Sequence, residues 1–181
     1  MNNALRILDA LDSNLDKPVE LTLYGRAALS LGFAHPPDDF AKSHDIDAVL
    51  WLGQAEELNE KTNFWETVDK VNRELADQEL YISHFFTEDQ VVLLPDWRKN
   101  RVKIDGSWEH LRLYRLGDLD LLLSKLMRLD PLDQADALFI ASHSRLSRSD
   151  ISTAISRARV PDALEVREQF RLSAEKLLNS L

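Results

Sequence analysis

The run Val19-Glu20-Leu21-Thr22-Leu23-Tyr24 constrains the fold more than any other stretch. It alternates and is rich in strand-forming residues, so it reads as a β-strand. Gly25 closes it, and Arg26-Ala27-Ala28-Leu29-Ser30-Leu31 restarts at once with good helix formers. A strand that turns on one glycine into a helix belongs to the α/β architectures. Such a glycine lets backbone approach a ligand closely, and the helix behind it offers free N–H groups to phosphate. A plain tight turn uses the same residue, so the turn by itself leaves both readings open.

The rest of the chain fits this frame. Leu5, Ile7, Leu8, Leu11 and Leu15 predict an amphipathic helix over 3–15, stopped by Lys17-Pro18. Pro36, Pro37, Asp38 and Asp39 mark 34–44 as a loop. Asp45 to Trp51 is a second strand. Leu58, Phe64, Trp65, Val68, Val71 and Leu75 form one apolar stripe and predict a helix across 54–78. Further strands are expected at 81–86, 102–105 and 110–114, with a short apolar stretch at Val91-Val92-Leu93-Leu94. From Asp118 the chain turns leucine-rich and helical to Leu129. Pro131 opens a new helix, with Asp130 and Asp133 as its cap and capping-box residues. Ser147-Arg148-Ser149-Asp150 reads as a capping box before another short helix, and a last amphipathic helix covers 162–179. The expected fold is α/β (or α+β): a small mixed sheet flanked by helices over 1–115, then a helical region over 116–181.

Composition removes several function classes. There is no cysteine, so a disulfide scaffold, a cysteine nucleophile and a thiolate metal site are excluded. Lys and Arg number 22 against 31 Asp and Glu, a net charge of -9. That argues against coating nucleic acid through a broadly basic surface, though a local basic pocket stays compatible. No segment nears the ~20 apolar residues of a membrane span, and the first 17 residues carry charges within their apolar pattern. No membrane association and a cytoplasmic location are expected. His35, His84, His110 and His143 lack His-x3-His spacing, which speaks against zinc, and His44 reads as polar surface. Ser142-His143-Ser144 lacks the Gly-x-Ser-x-Gly context of a serine hydrolase. Arg145, Arg148, Arg157 and Arg159 read as a solvated helix face.

Two clusters carry chemistry. In Asp45-Ile46-Asp47 the acids share one strand face, with α-carbons ~7 Å apart. Paired carboxylates at that distance suit Mg2+, a hard cation that also takes substrate phosphate. A solvated strand face is the competing reading. However, Ala48, Val49, Leu50 and Trp51 make the strand look buried, and burying two unpartnered acids is costly. In Asp118-Leu119-Asp120-Leu121-Leu122-Leu123-Ser124-Lys125-Leu126, Lys125 sits on a leucine face. It either snorkels to solvent or gives a phosphate a point charge.

The order strand, Gly-turn, helix, loop and Asp-x-Asp strand resembles the nucleotidyltransferase superfamily, the polymerase-beta-like minimal fold. The matching residues are Tyr24, Gly25, Arg26 and Asp45-Ile46-Asp47. Leu94-Pro95-Asp96-Trp97, Arg101 and the stretch Asp118-Leu119 to Lys125-Leu126, Asp133 and Asp136 look like a bacterial subgroup related to the toxins of abortive-infection and toxin–antitoxin pairs. The resemblance covers roughly 19–140. It implies that Gly25 and Arg26 hold nucleotide phosphates and that Asp45 and Asp47 bind Mg2+, with a third carboxylate completing the set. In that chemistry an acceptor hydroxyl attacks the α-phosphate of a nucleoside triphosphate and pyrophosphate leaves.

The implied function is Mg2+-dependent transfer of a nucleoside monophosphate to a hydroxyl of tRNA or other RNA, or of a protein. An antitoxin is a further expected partner, and Arg101 or Lys125 is expected to pair with phosphate. Arg26 departs from the family's small residue, so it either crowds the phosphate cradle or clamps it with a guanidinium. The third carboxylate is assigned to Asp105, at the end of Val102-Lys103-Ile104, with Glu109 as second choice. If neither converges on the pair, the alternative is a catalytically degenerate module of the same fold that binds a partner protein.

Overall fold

A computed structural model describes residues 2–181. The chain is mixed α/β and divides into two compact units. Unit one holds residues up to 87 together with 102–115, and unit two holds 88–101 with 116–181. The expected boundary at 115/116 coincides with one crossing between units. Residues 88–101, which the sequence reading put in the α/β part, group with the helical unit.

Unit one is built on a five-stranded sheet of order β3-β2-β1-β5-β4. Its strands are β1 (Val19–Tyr24), β2 (Asp45–Leu50), β3 (Tyr81–Thr87), β4 (Val102–Ile104) and β5 (Leu111–Arg115). β1 pairs antiparallel with β2 and parallel with β5, β2 runs parallel to β3, and β4 closes antiparallel on β5. The apolar positions of the alternation lie inside, and Thr22 and Val49 on the opposite face are buried as well. Val19, Leu21 and Leu23 of β1 and Ile46, Ala48 and Leu50 of β2 are all at most 2% exposed. Helices α1 (Asn3–Asn14), α2 (Gly25–Gly32), α3 (Gln54–Lys61) and α4 (Phe64–Leu75) complete this unit. α1 buries Ile7, Leu8 and Leu11 of the predicted stripe together with Ala4, whereas Leu5 of that stripe is 40% exposed.

The single helix expected across 54–78 is two helices and a 3-10 turn at Ala76–Gln78. The break has a local cause. Asn63 donates through Nδ2 to the Asn14 carbonyl at 3.1 Å and accepts the Asp16 N–H at 3.2 Å. Thr62 bonds back to the Leu58 carbonyl and caps Phe64 N–H. These side chains take the hydrogen bonds that a continuous helix would have made.

Unit two contains α5 (Trp97–Asn100), α6 (Asp118–Lys125), α7 (Pro131–His143), α8 (Arg148–Arg157) and α9 (Leu164–Ser180). Val91 to Leu94 is buried but is not a named strand; Leu93 makes one isolated bridge to Arg159. Asp130 caps α7 and Pro131 fills its first turn, while Ser147 and Asp150 form a reciprocal capping box on α8, all as predicted. α6 ends at Lys125, four residues short of the expected stop.

Candidate metal and nucleotide site

β1 and β2 bring the two sequence motifs together. In their antiparallel register Tyr24 faces Asp47, so the turn at the end of β1 lies beside the acids at the start of β2. Gly25 adopts φ +70, the left-handed region that glycine reaches without a steric cost. A Cβ placed on it would stand 3.2 Å from Asp47 Oδ2. The residue is thus fixed by backbone conformation and also by the carboxylate in front of it. α2 begins at Gly25 with no side-chain cap, because the hydroxyl of Tyr24 at the cap position lies at the far end of the ring, too far from the first N–H groups. A helix start without a side-chain cap is where backbone N–H groups are open to an anionic ligand. Arg26, next in the helix, holds its guanidinium over the Phe40 ring at 5.3 Å from the centroid.

Asp45 and Asp47 are half-buried, and three polar side chains orient them. Ser43 Oγ donates to Asp45 Oδ1 at 2.9 Å. Ser83 Oγ donates to Asp47 Oδ1 at 3.0 Å, and His84 Nδ1 lies 3.0 Å from the same oxygen. Asp47 Oδ2 accepts no hydrogen bond from the described residues. Burial pushes the Asp47 carboxyl above the usual carboxylate range, and repulsion from Asp45 adds to that, while Ser83 and His84 oppose it. No lysine or arginine pairs with either acid among the described residues. The resulting set Asp45, Asp47 and His84 presents one ligand atom each, all within 4.8 Å of one another.

His84 arrives through a β-bulge. The β2–β3 register shifts between Ile46 and Asp47, so Ile46 faces Ile82 while Asp47 faces His84. The extra residue is Ser83. Two consecutive side chains that would normally point to opposite faces therefore both reach Asp47. The imidazole stacks on Phe86 with centroids 5.4 Å apart and planes 13° apart, and Tyr24 meets Phe86 edge-on at 6.0 Å. No local ligand spacing marks His84 in the sequence. The usable signal was Ser83-His84 on a strand adjacent in space to Asp-Ile-Asp, and strand adjacency is not written locally.

The expected third carboxylate is not brought to the pair. Asp105 follows Ile104, which faces Leu113, which in turn faces Leu21. Asp105 is thus three strands from β2 and at the opposite end of the sheet from Tyr24 and Asp47. Its side chain is 94% exposed and pairs with Lys103 at 3.8 Å. Glu109 lies at that same far end, where its N–H and those of His110 and Leu111 bond to Asp12. The third side chain of the cluster is the His84 imidazole, and no third carboxylate joins Asp45 and Asp47 there among the described residues.

Two other expected residues lie in unit two with partners of their own. Lys125 is 7% exposed and donates to Asp136 at 2.8 Å and to Asp133 at 3.2 Å. Asp133 also receives Arg128 at 2.8 Å. Asp133 thus belongs to an ion network and not to a capping box. Arg101 ends α5 and donates to the Arg98 carbonyl at 3.0 Å. Compared with known proteins, the chain matches no family model, no curated protein and no solved structure.

Proposed function

We propose that the chain is a divalent-cation-dependent nucleotidyltransferase, moving a nucleoside monophosphate from a nucleoside triphosphate to a hydroxyl of RNA or protein, as the toxin of a toxin–antitoxin pair would. One observation carries the reading: the left-handed Gly25, which opens an uncapped helix, stands directly against Asp47 of the acid pair. Helix N–H donors attract phosphate, whereas two carboxylates repel it. A cation held by the acids reconciles the two, and a triphosphate with a divalent ion fits both halves. When bound, that cation would supply charge neutralisation at the phosphates and at the acceptor oxygen.

The chain's own residues do the rest. Gly25 keeps the turn free of side chain so that backbone can approach the phosphates. The N–H groups of α2 donate to phosphate oxygens. Ser43 and Ser83 fix the carboxylates so that little reorganisation is needed when the ligand arrives. Lys125 has no part in this, because its ammonium is already neutralised by two buried aspartates.

The test is calorimetric titration with each nucleoside triphosphate, with divalent cation and with chelator, followed by transfer of an α-phosphate label. Cation-dependent binding of one triphosphate and label transfer, both lost in a folded Asp47→Ala variant, is the expected result. Retained transfer in that variant overturns the assignment. A second reading is favoured by the lack of a third carboxylate at the cluster: a degenerate module that binds a partner such as an antitoxin. Absence of binding to any of the four triphosphates by folded protein selects it.

A further inference from the structure

The same cluster carries information about which cation it takes, and this inference rests on the divalent-cation reading above. We infer that Asp45, Asp47 and His84 form a three-ligand site for a first-row transition cation of the Mn2+ type, with the His84 imidazole setting its preference over Mg2+.

The donor set is the first argument. Mg2+ strongly favours oxygen ligands in near-ideal octahedral geometry and dehydrates reluctantly. Imidazole nitrogen suits the transition ions, and two carboxylates with one imidazole still suit a cation that accepts phosphate oxygen. The three ligand atoms lie within 4.8 Å of one another. Ligands bound at ~2.1 Å around one ion stand about 3 to 4 Å apart, so small side-chain rotations close the gap.

The second argument is how the ligands are held. The bulge at Asp47 brings His84 across from it, and the Phe86 ring lies parallel to the imidazole, with centroids 5.4 Å apart and planes 13° apart. Ser43 and Ser83 occupy Oδ1 of each carboxylate, which leaves Asp47 Oδ2 without a partner among the described residues. Gly25 faces that oxygen, where any larger residue would bring a Cβ to 3.2 Å. Orientation of carboxylate and imidazole ligands by surrounding hydrogen bonds is the usual support of a metal centre. His84 is more than half exposed, so the site opens to solvent and to a ligand that would complete the coordination.

The experiment uses the full chain stripped with chelator. Mn2+ binding is followed by loss of the free-ion paramagnetic resonance signal, and Mg2+ affinity is obtained by competition. The wild type should bind Mn2+ at least tenfold more tightly than Mg2+. His84→Ala should weaken Mn2+ tenfold or more and change Mg2+ less than threefold, and Asp47→Asn should weaken both. Pulsed resonance of the Mn2+ complex should show nitrogen coupling that His84→Ala removes. Bound Mn2+ without nitrogen coupling, an equal loss for both cations in His84→Ala, or no Mn2+ binding by folded wild type overturns the inference. The two readings fail separately. Mn2+ bound through His84 without any nucleotide transfer upholds this one and sinks the transferase. Mg2+-supported transfer with no nitrogen ligand does the reverse.

Discussion

Each unit contains a pair of aspartates, and the two pairs are built in opposite ways. In unit two, Asp133 and Asp136 are 6% and 2% exposed and close on Lys125, with Arg128 added at the rim. The cation is part of the chain. In unit one, Asp45 and Asp47 are only half-buried, with hydroxyls and one imidazole around them and, among the described residues, no lysine or arginine. A pair with its own ammonium is a structural device whose charges are balanced on folding. A pair without one keeps an unbalanced negative charge open to solvent, and that charge is what a dissolved cation would recognise.

The contrast can be broken most forcefully at Lys125. Lys125→Ala leaves two buried carboxylates facing each other and should cost about 3–5 kcal/mol of unfolding free energy in a denaturant titration. A loss below about 1 kcal/mol would mean that the network is not load-carrying and that the two pairs are alike.

Asp120 sharpens the comparison, because it is a buried acid with neither arrangement. It is fully buried, Oδ1 accepts the Leu94 N–H at 2.7 Å, and Oδ2 has no hydrogen-bond partner. Burial pushes its carboxyl up to about 6 from an ordinary 3.8. The folded state therefore binds the proton more tightly than the unfolded state. Its stabilising contribution is fully present below 3.8 and is lost as pH rises through about 6, roughly 3 kcal/mol across the window. Asp120→Asn should remove that portion of the pH dependence. A wild-type minus variant difference that stays flat between pH 4 and 7 would contradict it.

The smallest effect is expected in unit one. Asp47→Asn relieves repulsion from Asp45 and should raise the melting stability of the cation-free protein by about 0.5 kcal/mol. Added Mn2+ should then stabilise the wild type and leave the variant unchanged. Destabilisation by Asp47→Asn without metal would place this pair with the structural one.

Much of the fold was legible because it was locally written. The leucine spacing of α1, the alternation of β1, Asp130-Pro131 and the Ser147/Asp150 box all specify themselves within a few residues. The Gly25 turn and the acid pair were legible for the same reason. What escaped depended on pairing between distant segments. Asn63 breaks a helix because it reaches Asn14. His84 joins the acids because β3 lies beside β2 with a bulge at one position. Asp105 looked suitable as an acid at a strand end, and strand order alone put it at the far corner. Lys125 was read as a choice between solvent and phosphate, while the aspartates that hold it lie one helix later.

The pairing of β1 with β5 has a consequence during synthesis. Val19 of β1 is partnered by Leu111 of β5, so the chain must grow by more than 90 residues before that seam can close. At about 5–20 residues per second, a nascent chain carries β1 with one open edge for some 5 to 20 seconds. The strand that ends at Tyr24 leaves the ribosome well before the β5 residues that cover its edge. Leu21 and Leu23, both at most 1% exposed in the finished sheet, wait through that interval without their β5 neighbours.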